Sequence, residues 1–331
     1  MVQFGVFVPQ GWRRDLSEIA DPVEQYEAMT TVAEAADAEP SLDSIWVYDH
    51  FHTTPTPEME TTFECWTATA TLARDTERVK IGQMVGCNGY RHPALYAKIA
   101  STVDVASHGR LLAGIGAGWY EHEWRAYGFG GAGAAEAGPG EFPAVPERMR
   151  MFREAVEIIH KMWTEPRPTH RGTHYTIDGP INEPKGADGH PPLWIGGGGE
   201  QVTLKLVARF ADACNVGGGD AATVKHKLEV LKRHCDDAGR NYDEIVKSTS
   251  VNAYPIAQGV DPAKATAAVR GSTSYEAFAK DNWVGTPDEL AGRLQPVVEA
   301  GATYIIFYLP GLAYDIEPLH RLAREVVTRV G

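Results

Sequence analysis

The stretch Leu193-Trp194-Ile195-Gly196-Gly197-Gly198-Gly199-Glu200 places a short apolar strand directly before four consecutive glycines. A helix is predicted over 200–210, immediately after the glycines. A strand, a glycine loop and a helix in direct succession are typical of a parallel β/α unit. The loop therefore joins the carboxyl end of a strand to the amino end of a helix.

The same alternation repeats along the chain on both sides of this unit. Short β-branched and aromatic runs predict eight strands, at 2–8, 44–48, 79–85, 110–115, 193–196, 212–216, 246–252 and 304–308. Longer stretches predict the helices, at 21–37, 64–74, 93–107, 146–162, 200–210, 221–238, 287–300 and 315–329. Eight repeats close a parallel (β/α)8 barrel, the TIM barrel. A doubly wound open sheet is the alternative, but no change in composition separates two lobes.

Three segments interrupt the alternation and are interpreted as insertions: 119–145, 164–192 and 255–285. Within the first, residues 128–145 are rich in Gly, Ala, Pro and Glu, which is typical of a mobile surface loop or lid. The second carries turn residues around a short predicted hairpin. We expect one barrel domain over 1–331 rather than two lobes.

Composition excludes several classes of protein. The chain has 331 residues, 43% of them hydrophobic, and a formal net charge of −13. Such a charge argues against nucleic-acid binding, which needs clustered Lys and Arg. No apolar run approaches the roughly 18 residues of a membrane span, and no signal peptide is expected. The four cysteines lack C-x-x-C spacing, which favours free thiols and a cytoplasmic location.

The second predicted strand ends in Tyr48-Asp49-His50-Phe51-His52. The carboxyl ends of barrel strands hold reacting groups, and a histidine there can transfer a proton near neutral pH. A second interpretation, given equal weight, is that Asp49 and His50 cap the next element through local hydrogen bonds. A metal site built on His50 and His52 is a third interpretation, although no further ligands stand out at other strand ends.

The third and fourth strands end in small and apolar residues. Gln83-Met84-Val85-Gly86-Cys87-Asn88-Gly89 is suited to a bulge that supports a flat ring, and Cys87 has no base nearby in sequence. Gly114-Ile115-Gly116-Ala117-Gly118-Trp119-Tyr120-Glu121 lets the backbone approach a ligand closely, or simply forms a tight turn. Trp119 and Tyr120 are candidates for stacking on a ligand or covering the barrel mouth. Glu121 and Glu123 are candidates for acid–base work or are merely solvated.

The glycine run Gly196–Gly199 is the stronger binding signal. Glycines followed by a helix start present free N–H groups to an anion, which favours phosphate binding over a flexible connection. No Gly-Lys-Ser/Thr follows, so the run is not a P-loop.

Four motifs follow one another along the chain: Tyr48-Asp49-His50-Phe51, Tyr90-Arg91-His92-Pro93, Ser107-His108-Gly109-Arg110 and Gly114–Trp119. Taken in this order, they make the chain resemble the luciferase-like monooxygenase superfamily, and within it the coenzyme F420-dependent oxidoreductases of actinobacteria and archaea. The likeness covers nearly the whole chain and extends to Trp194–Gly199 and Ala211-Asp212. The motifs separate F420 users from FMN users poorly.

The resemblance implies a (β/α)8 barrel with its tricyclic cofactor against a bulge at Met84, Val85 and Gly86, where relatives often have a non-prolyl cis peptide. It implies a phosphate on Gly197 and Gly198, with Gly196 beside them, and Asp49 next to the reactive carbon. His50 is then the expected proton carrier. Asn88, Gly116, Gly118 and Tyr120 are the further cofactor-binding candidates, and Glu121 is a second catalytic candidate.

One departure from the family bears on the substrate. Sugar-phosphate dehydrogenases of this family place a Glu directly after the glycine motif, where this chain has Trp119. The difference argues against glucose-6-phosphate and favours a bulkier, less polar substrate.

The function predicted from this resemblance is hydride transfer between F420 and an organic small molecule, reducing an activated C=C, C=N or C=O bond. The alternatives are an FMN-dependent monooxygenase, a metal-dependent barrel hydrolase and a non-catalytic flavin-binding relative. Relatives are often homodimers, so a dimer is expected here.

Overall fold

A computed structural model describes residues 2–129 and 140–330. Twelve strands lie within these residues: β1 Gln3–Phe7, β2 Ser44–Val47, β3 Lys80–Gln83, β4 Gly86–Cys87, β5 Leu111–Gly116, β6 Thr169–Arg171, β7 Thr176–Asp178, β8 Leu193–Gly196, β9 Ala213–Asn215, β10 Val246–Pro255, β11 Trp283–Gly285 and β12 Tyr304–Tyr308. The helices are α1 Pro22–Asp37, α2 Cys65–Asp75, α3 Pro93–Ala106, α4 Glu121–Ala126, α5 Val145–Thr164, α6 Thr203–Phe210, α7 Ala221–Ala238, α8 Pro262–Ala265, α9 Ala267–Arg270, α10 Tyr275–Asp281, α11 Pro287–Glu299 and α12 Glu317–Arg321.

Eight parallel strands close into a barrel, so the predicted TIM-barrel fold is confirmed. Strands β1, β2, β3, β5, β8 and β9 follow one another, and β12 pairs with β1 on the other side. Strand β10 pairs with both β12 and β9 and thereby closes the ring. The doubly wound open sheet is excluded.

Buried aromatic side chains fill the interior of the barrel. Trp46, Trp194 and Tyr304 pack together, with the two indole rings 4.9 Å apart. A strand that is covered on both faces has a continuous apolar sequence. The sequence therefore predicts β12, all five residues of which are buried. The filled interior leaves the strand ends as the place for a ligand.

The helices begin where the sequence supplies capping residues. The Asp21 carboxylate accepts hydrogen bonds from the first amides of α1, and Thr286 and Glu289 form a reciprocal capping box on α11. Pro93 opens α3, as predicted. No helix in the described part of the chain is long and apolar enough to cross a membrane.

Several element boundaries were predicted wrongly. The strand expected over 79–85 breaks after Gln83 and resumes as β4, and the helix expected from residue 200 begins at Thr203. Helix α4 lies in a segment interpreted as a loop. The excursion 255–285 contains α8, α9, α10 and β11, whereas 164–192 does contain the predicted hairpin, β6–β7. The predicted lid over 128–145 falls largely on residues 130–139, outside the described residues; α5 begins at Val145.

Candidate functional site

A cavity of about 480 Å³ lies at the carboxyl ends of the barrel strands. Its wall includes most residues singled out in the sequence, namely Asp49, His50, Met84, Val85, Gly86, Gly116, Gly118, Tyr120, Gly196 and Gly197. Two further wall residues, Trp119 and Gly199, were singled out in the sequence as a stacking candidate and as part of the glycine run. The rest of the wall was not assigned to the cofactor site: Trp12, Tyr48, Cys87, Tyr90, Ala117, Met149, Thr203 and Asn215. A volume of this size suits a small-molecule ligand.

The break between β3 and β4 forms one wall of the cavity. The peptide bond between Met84 and Val85 is cis, as expected at this position from the family resemblance. The Val85 side chain lies between the ends of β5 and β8. A Cβ atom added to Gly116 would lie 2.6 Å from one Val85 methyl group, and a Cβ atom added to Gly196 would lie 2.7 Å from the other. The glycines at these positions therefore make room for Val85. Gly116 belongs to β5 rather than to a tight turn, and the chain turns at Gly118, where φ is +78°.

The Asp49 carboxylate is held by an arginine side chain and by a backbone amide. It accepts hydrogen bonds from Arg91 Nη1 at 2.5 Å, Arg91 Nη2 at 3.0 Å and the Cys87 amide at 2.7 Å. Arg91 also contacts Glu64. Burial raises the pKa of Asp49, while Arg91 and the Cys87 amide oppose that rise. Because an arginine stays protonated, the pair is a buried ion pair beside the cavity.

His50 is oriented by a second buried carboxylate, Glu123. The Nδ1 atom of His50 lies 3.0 Å from Glu123 Oε2, and the whole Glu123 side chain is inaccessible to solvent. Glu123 also accepts hydrogen bonds from the Tyr90 hydroxyl at 2.5 Å and from the Phe51 amide at 2.7 Å. Burial alone would raise the pKa of Glu123, but these hydrogen bonds outweigh it and lower that pKa.

An ionised Glu123 fixes the tautomer of His50. A carboxylate only accepts hydrogen bonds, so Nδ1 carries a proton and donates it. The other ring nitrogen, Nε2, has no hydrogen-bond partner among the described residues. His50 therefore keeps Nε2 free to exchange a proton with a ligand, and the capping alternative for His50 is wrong.

Glu121 does not belong to the cavity wall, which corrects the prediction for that residue. Its side chain is 54% exposed and pairs with Arg125 in the next turn. Positions 121 and 123 lie about 200° apart around a helix axis, so α4 directs one outward and the other inward. The prediction failed because α4 was interpreted as a loop, where no helical face is defined.

The glycine run forms the opposite end of the cavity. Gly196, Gly197, Gly199 and Thr203 line it, and Gly197 adopts a φ of +120° that favours glycine. No side chain caps α6, whose N-cap residue is Val202, so amides at this helix start are available to an anion. Gly198, predicted to bind phosphate, does not line the cavity, because it packs on the Lys227 side chain.

Asn88 is also outside the cavity wall. It is buried, and its amide nitrogen donates to the Tyr175 hydroxyl at 3.3 Å. Its neighbour Cys87 does line the cavity, where burial raises the pKa of the thiol to about 12. A thiol with that pKa is a poor nucleophile at neutral pH.

The proposed histidine pair does not form a metal site. His50 Nδ1 contacts Glu123, whereas the ring nitrogens of His52 contact the Thr53 carbonyl and His122. In residues 2–129 and 140–330, no three His, Cys, Asp or Glu side chains come together in a way that could hold a metal ion.

Comparison with known proteins identifies the family. The model of the luciferase-like monooxygenase family matches residues 2–269, more than half of the chain. The chain belongs to the luciferase-like monooxygenase family. The resemblance found in the sequence motifs is thereby confirmed.

Members similar to this luciferase-like protein use different flavin-type cofactors. A protein of Kineococcus radiotolerans named F420-dependent glucose-6-phosphate dehydrogenase is 27% identical over 308 residues, 82% of this chain and 84% of that protein. An F420-dependent secondary alcohol dehydrogenase, solved with an F420–acetone adduct, has a TM-score of 0.75 at 20% identity, covering 100% of this chain and 99% of that one. A type II Baeyer–Villiger monooxygenase component from Pseudomonas putida, solved with FMN, has the same TM-score at 16% identity, covering 100% and 99%. At these identities the solved structures establish the shared fold.

Proposed function

We propose that this protein is an F420-dependent oxidoreductase that transfers a hydride between the deazaflavin and an organic small molecule. The observation that carries the proposal is a single cavity with a glycine loop and an uncapped helix start at one end and His50 in its wall. The curated relatives named F420-dependent support the choice of cofactor. The proposed reaction reduces an activated C=C, C=N or C=O bond.

The residues present fit such a cofactor. The amides of Gly199 and Thr203 have no hydrogen-bond partner among the described residues and are available to a phosphate, whereas the Gly197 amide already donates to the Asn215 carbonyl at 3.0 Å. A cationic side chain is not required, because backbone N–H groups and the helix dipole stabilise the negative charge. Val85 and Gly116 offer an apolar, closely approachable wall for a flat ring.

When bound in its reduced form, the deazaflavin supplies a hydride from its C5 carbon. His50, in its imidazolium form with both ring nitrogens protonated, would then supply the accompanying proton. The N–H bond at Nε2 breaks and a new bond forms at the substrate atom that gains the negative charge, while Nδ1 keeps its proton against Glu123. In the reverse direction Nε2 takes up the proton, and the resulting imidazolium is stabilised by the Glu123 carboxylate. The Asp49–Arg91 pair acts as a positioning group because it ties the end of β2 to the Cys87 amide of β4.

The experiment that tests the proposal is a fluorescence-quenching titration of the purified protein with F420 and, in parallel, with FMN. The proposal predicts tight binding of F420 and weak binding of FMN. The reverse preference would assign the protein to the FMN-dependent monooxygenases, and an oxygen-consumption assay would follow. Binding of neither cofactor would overturn the proposal, and metal analysis of the same sample addresses the hydrolase alternative.

Organisation and location are proposed from the sequence. We propose one domain over 1–331 with insertions at 119–145, 164–192 and 255–285, a cytoplasmic location and a homodimer. Limited proteolysis and light scattering of the purified protein test the domain and dimer proposals.

A further inference from the structure

The described part of the cavity wall offers no permanently charged cation to an anionic substrate. No lysine or arginine lines it in the described part of the chain, and its one acid there, Asp49, is already paired with Arg91. Residues 130–139, beyond the described ranges, contain no Lys or Arg in their sequence. A phosphate or carboxylate on the substrate would therefore be buried without a lysine or arginine partner, which is unfavourable.

The amides of the glycine run do not provide a partner for a negative charge on the substrate. They suit one phosphate, and the proposed cofactor uses that place. Arg13 does not supply the missing charge, because its guanidinium lies 4.5 Å from the Trp12 ring and 4.4 Å from the Tyr308 ring and does not line the cavity.

Aromatic rings surround His50 instead. The Trp12 ring stacks on the His50 ring at 5.3 Å, with 19° between the planes. The rings of Trp119 and Tyr120 meet it edge-on, at 5.8 and 5.9 Å. A substrate atom close enough to exchange a proton with His50 is therefore also in reach of aromatic faces, which favour flat unsaturated groups.

Trp119 is the exposed member of this group. It lines the cavity, packs on Tyr120 at 5.1 Å and is nevertheless 59% exposed. A large exposed aromatic side chain at the edge of a binding cavity gains free energy when a ligand covers it. Tyr127 is similarly exposed, at 54%, but does not line the cavity.

From this distribution of charge and aromatic rings we infer that the substrate is uncharged and planar, of the aryl-conjugated enone or ketone class, and that Trp119 stacks on it. The inference rests on the proposed function and narrows it to a substrate class. It excludes sugar phosphates and other anionic substrates.

The test compares three probes on the F420-loaded protein by calorimetry. The first is 4-phenylbut-3-en-2-one, which is flat and neutral; the second is its para-carboxylate, with the same skeleton and one negative charge; the third is glucose-6-phosphate. We expect the neutral enone to bind at least about tenfold more tightly than either anion, since an unpaired buried charge costs more than one tenfold step in affinity.

The Trp119→Ala variant is expected to bind the enone about tenfold more weakly than the wild type does. Trp119→Phe, which keeps an aromatic face, and Tyr127→Ala, which alters an exposed aromatic outside the cavity, are expected to bind it as the wild type does.

Each outcome decides one claim. Equal or tighter binding of the carboxylate or of glucose-6-phosphate overturns the substrate class while leaving F420 binding intact. Undetectable binding of the neutral enone to the loaded protein overturns it as well. If F420 itself does not load, the proposed function fails, and the probes are then compared on the cofactor-free protein, where the same order of affinities is required.

Discussion

Glu123 Oε2 lies 3.0 Å from His50 Nδ1, and the Glu123 side chain is completely buried, although Glu121 two residues earlier is largely exposed. A buried carboxylate thus determines which nitrogen of the cavity histidine carries its proton. Glu123 joins β2 to α4 through this contact and through the Phe51 amide. The orientation of His50 and the stability of the barrel mouth therefore depend on the same side chain.

Replacing Glu123 by Gln is expected to lower the free energy of unfolding at pH 7 by about 3 kcal/mol, because it breaks a buried charge-assisted network. The hydrogen bonds lower the pKa of Glu123 in the folded protein. Its contribution is therefore fully present above the unfolded pKa of about 4.3 and is lost as the pH falls through the folded pKa. Urea denaturation of both proteins from pH 7 downward measures this. Glu121→Gln is the matched control and should cost less than about 0.5 kcal/mol; equal losses for the two variants would contradict the assignment.

Replacing Arg91 by Met is expected to destabilise the protein by about 3 to 5 kcal/mol, because Asp49 then remains buried without its cation. Burial already raises the pKa of Asp49, and loss of Arg91 removes the main interaction that opposes this rise. The destabilisation is present at pH values above the raised pKa of Asp49 in the folded protein, and it is relieved as the pH falls through that pKa. The melting temperature of Arg91→Met should therefore rise relative to that of the wild type as the pH is lowered. The double variant Asp49→Asn/Arg91→Met should recover much of the loss at pH 7, and failure to recover it would show that Arg91 acts through Glu64 instead.

Replacing Gly196 by Ala is expected to cost about 1 to 3 kcal/mol and to weaken F420 binding, because the added methyl group would lie 2.7 Å from a Val85 methyl group. Combining it with Val85→Ala should restore stability by making room. Chemical denaturation and F420 titration measure both effects. Gly292→Ala, in an exposed position of α11 where nothing lies within 4 Å of an added Cβ, is the control and should stabilise the protein slightly. A Gly196→Ala protein that the Val85 change does not rescue would rule out the clash as the cause.

Replacing His50 by Gln is expected to slow enone reduction by about 100-fold to 10,000-fold, which is the usual contribution of a positioned general acid. F420 affinity should be retained, since the phosphate contacts lie at the glycine run. The rate of F420H2 oxidation and the affinity are measured on the same preparation. A variant with full activity would exclude His50 as the proton carrier.

The sequence predicted the barrel because its strands are short apolar runs separated by helices of ordinary length. Strands such as β8 and β12 and the helix α7 were placed at their observed bounds. Hydrophobic patterning did not show the break after Gln83, because Met84 and Val85 continue an apolar run. The small residues that follow indicated a bulge in this stretch, and the family resemblance indicated the cis peptide.

The candidate site was less predictable than the fold, because its contacts come from segments distant in the chain. Most of the chosen residues line the cavity, since strand ends and glycines are visible in a sequence. Arg91 was quoted only within a family motif, and Glu123 was considered for acid–base work but Glu121 was chosen, because the partners of Arg91 and Glu123 lie 42 and 73 residues away. Helix α4 has only six residues, too few for a periodic pattern to distinguish Glu121 from Glu123.

Isotope labelling tests whether F420 transfers a hydride to the substrate in this protein. Protein loaded with F420H2 that carries deuterium at C5 is mixed with the neutral enone, and the product is analysed by mass spectrometry and NMR. We expect one deuterium on the reduced carbon, with the second hydrogen derived from solvent. A reduced product without deuterium, or full retention of the label on F420H2 in the presence of every uncharged acceptor tried, would contradict it.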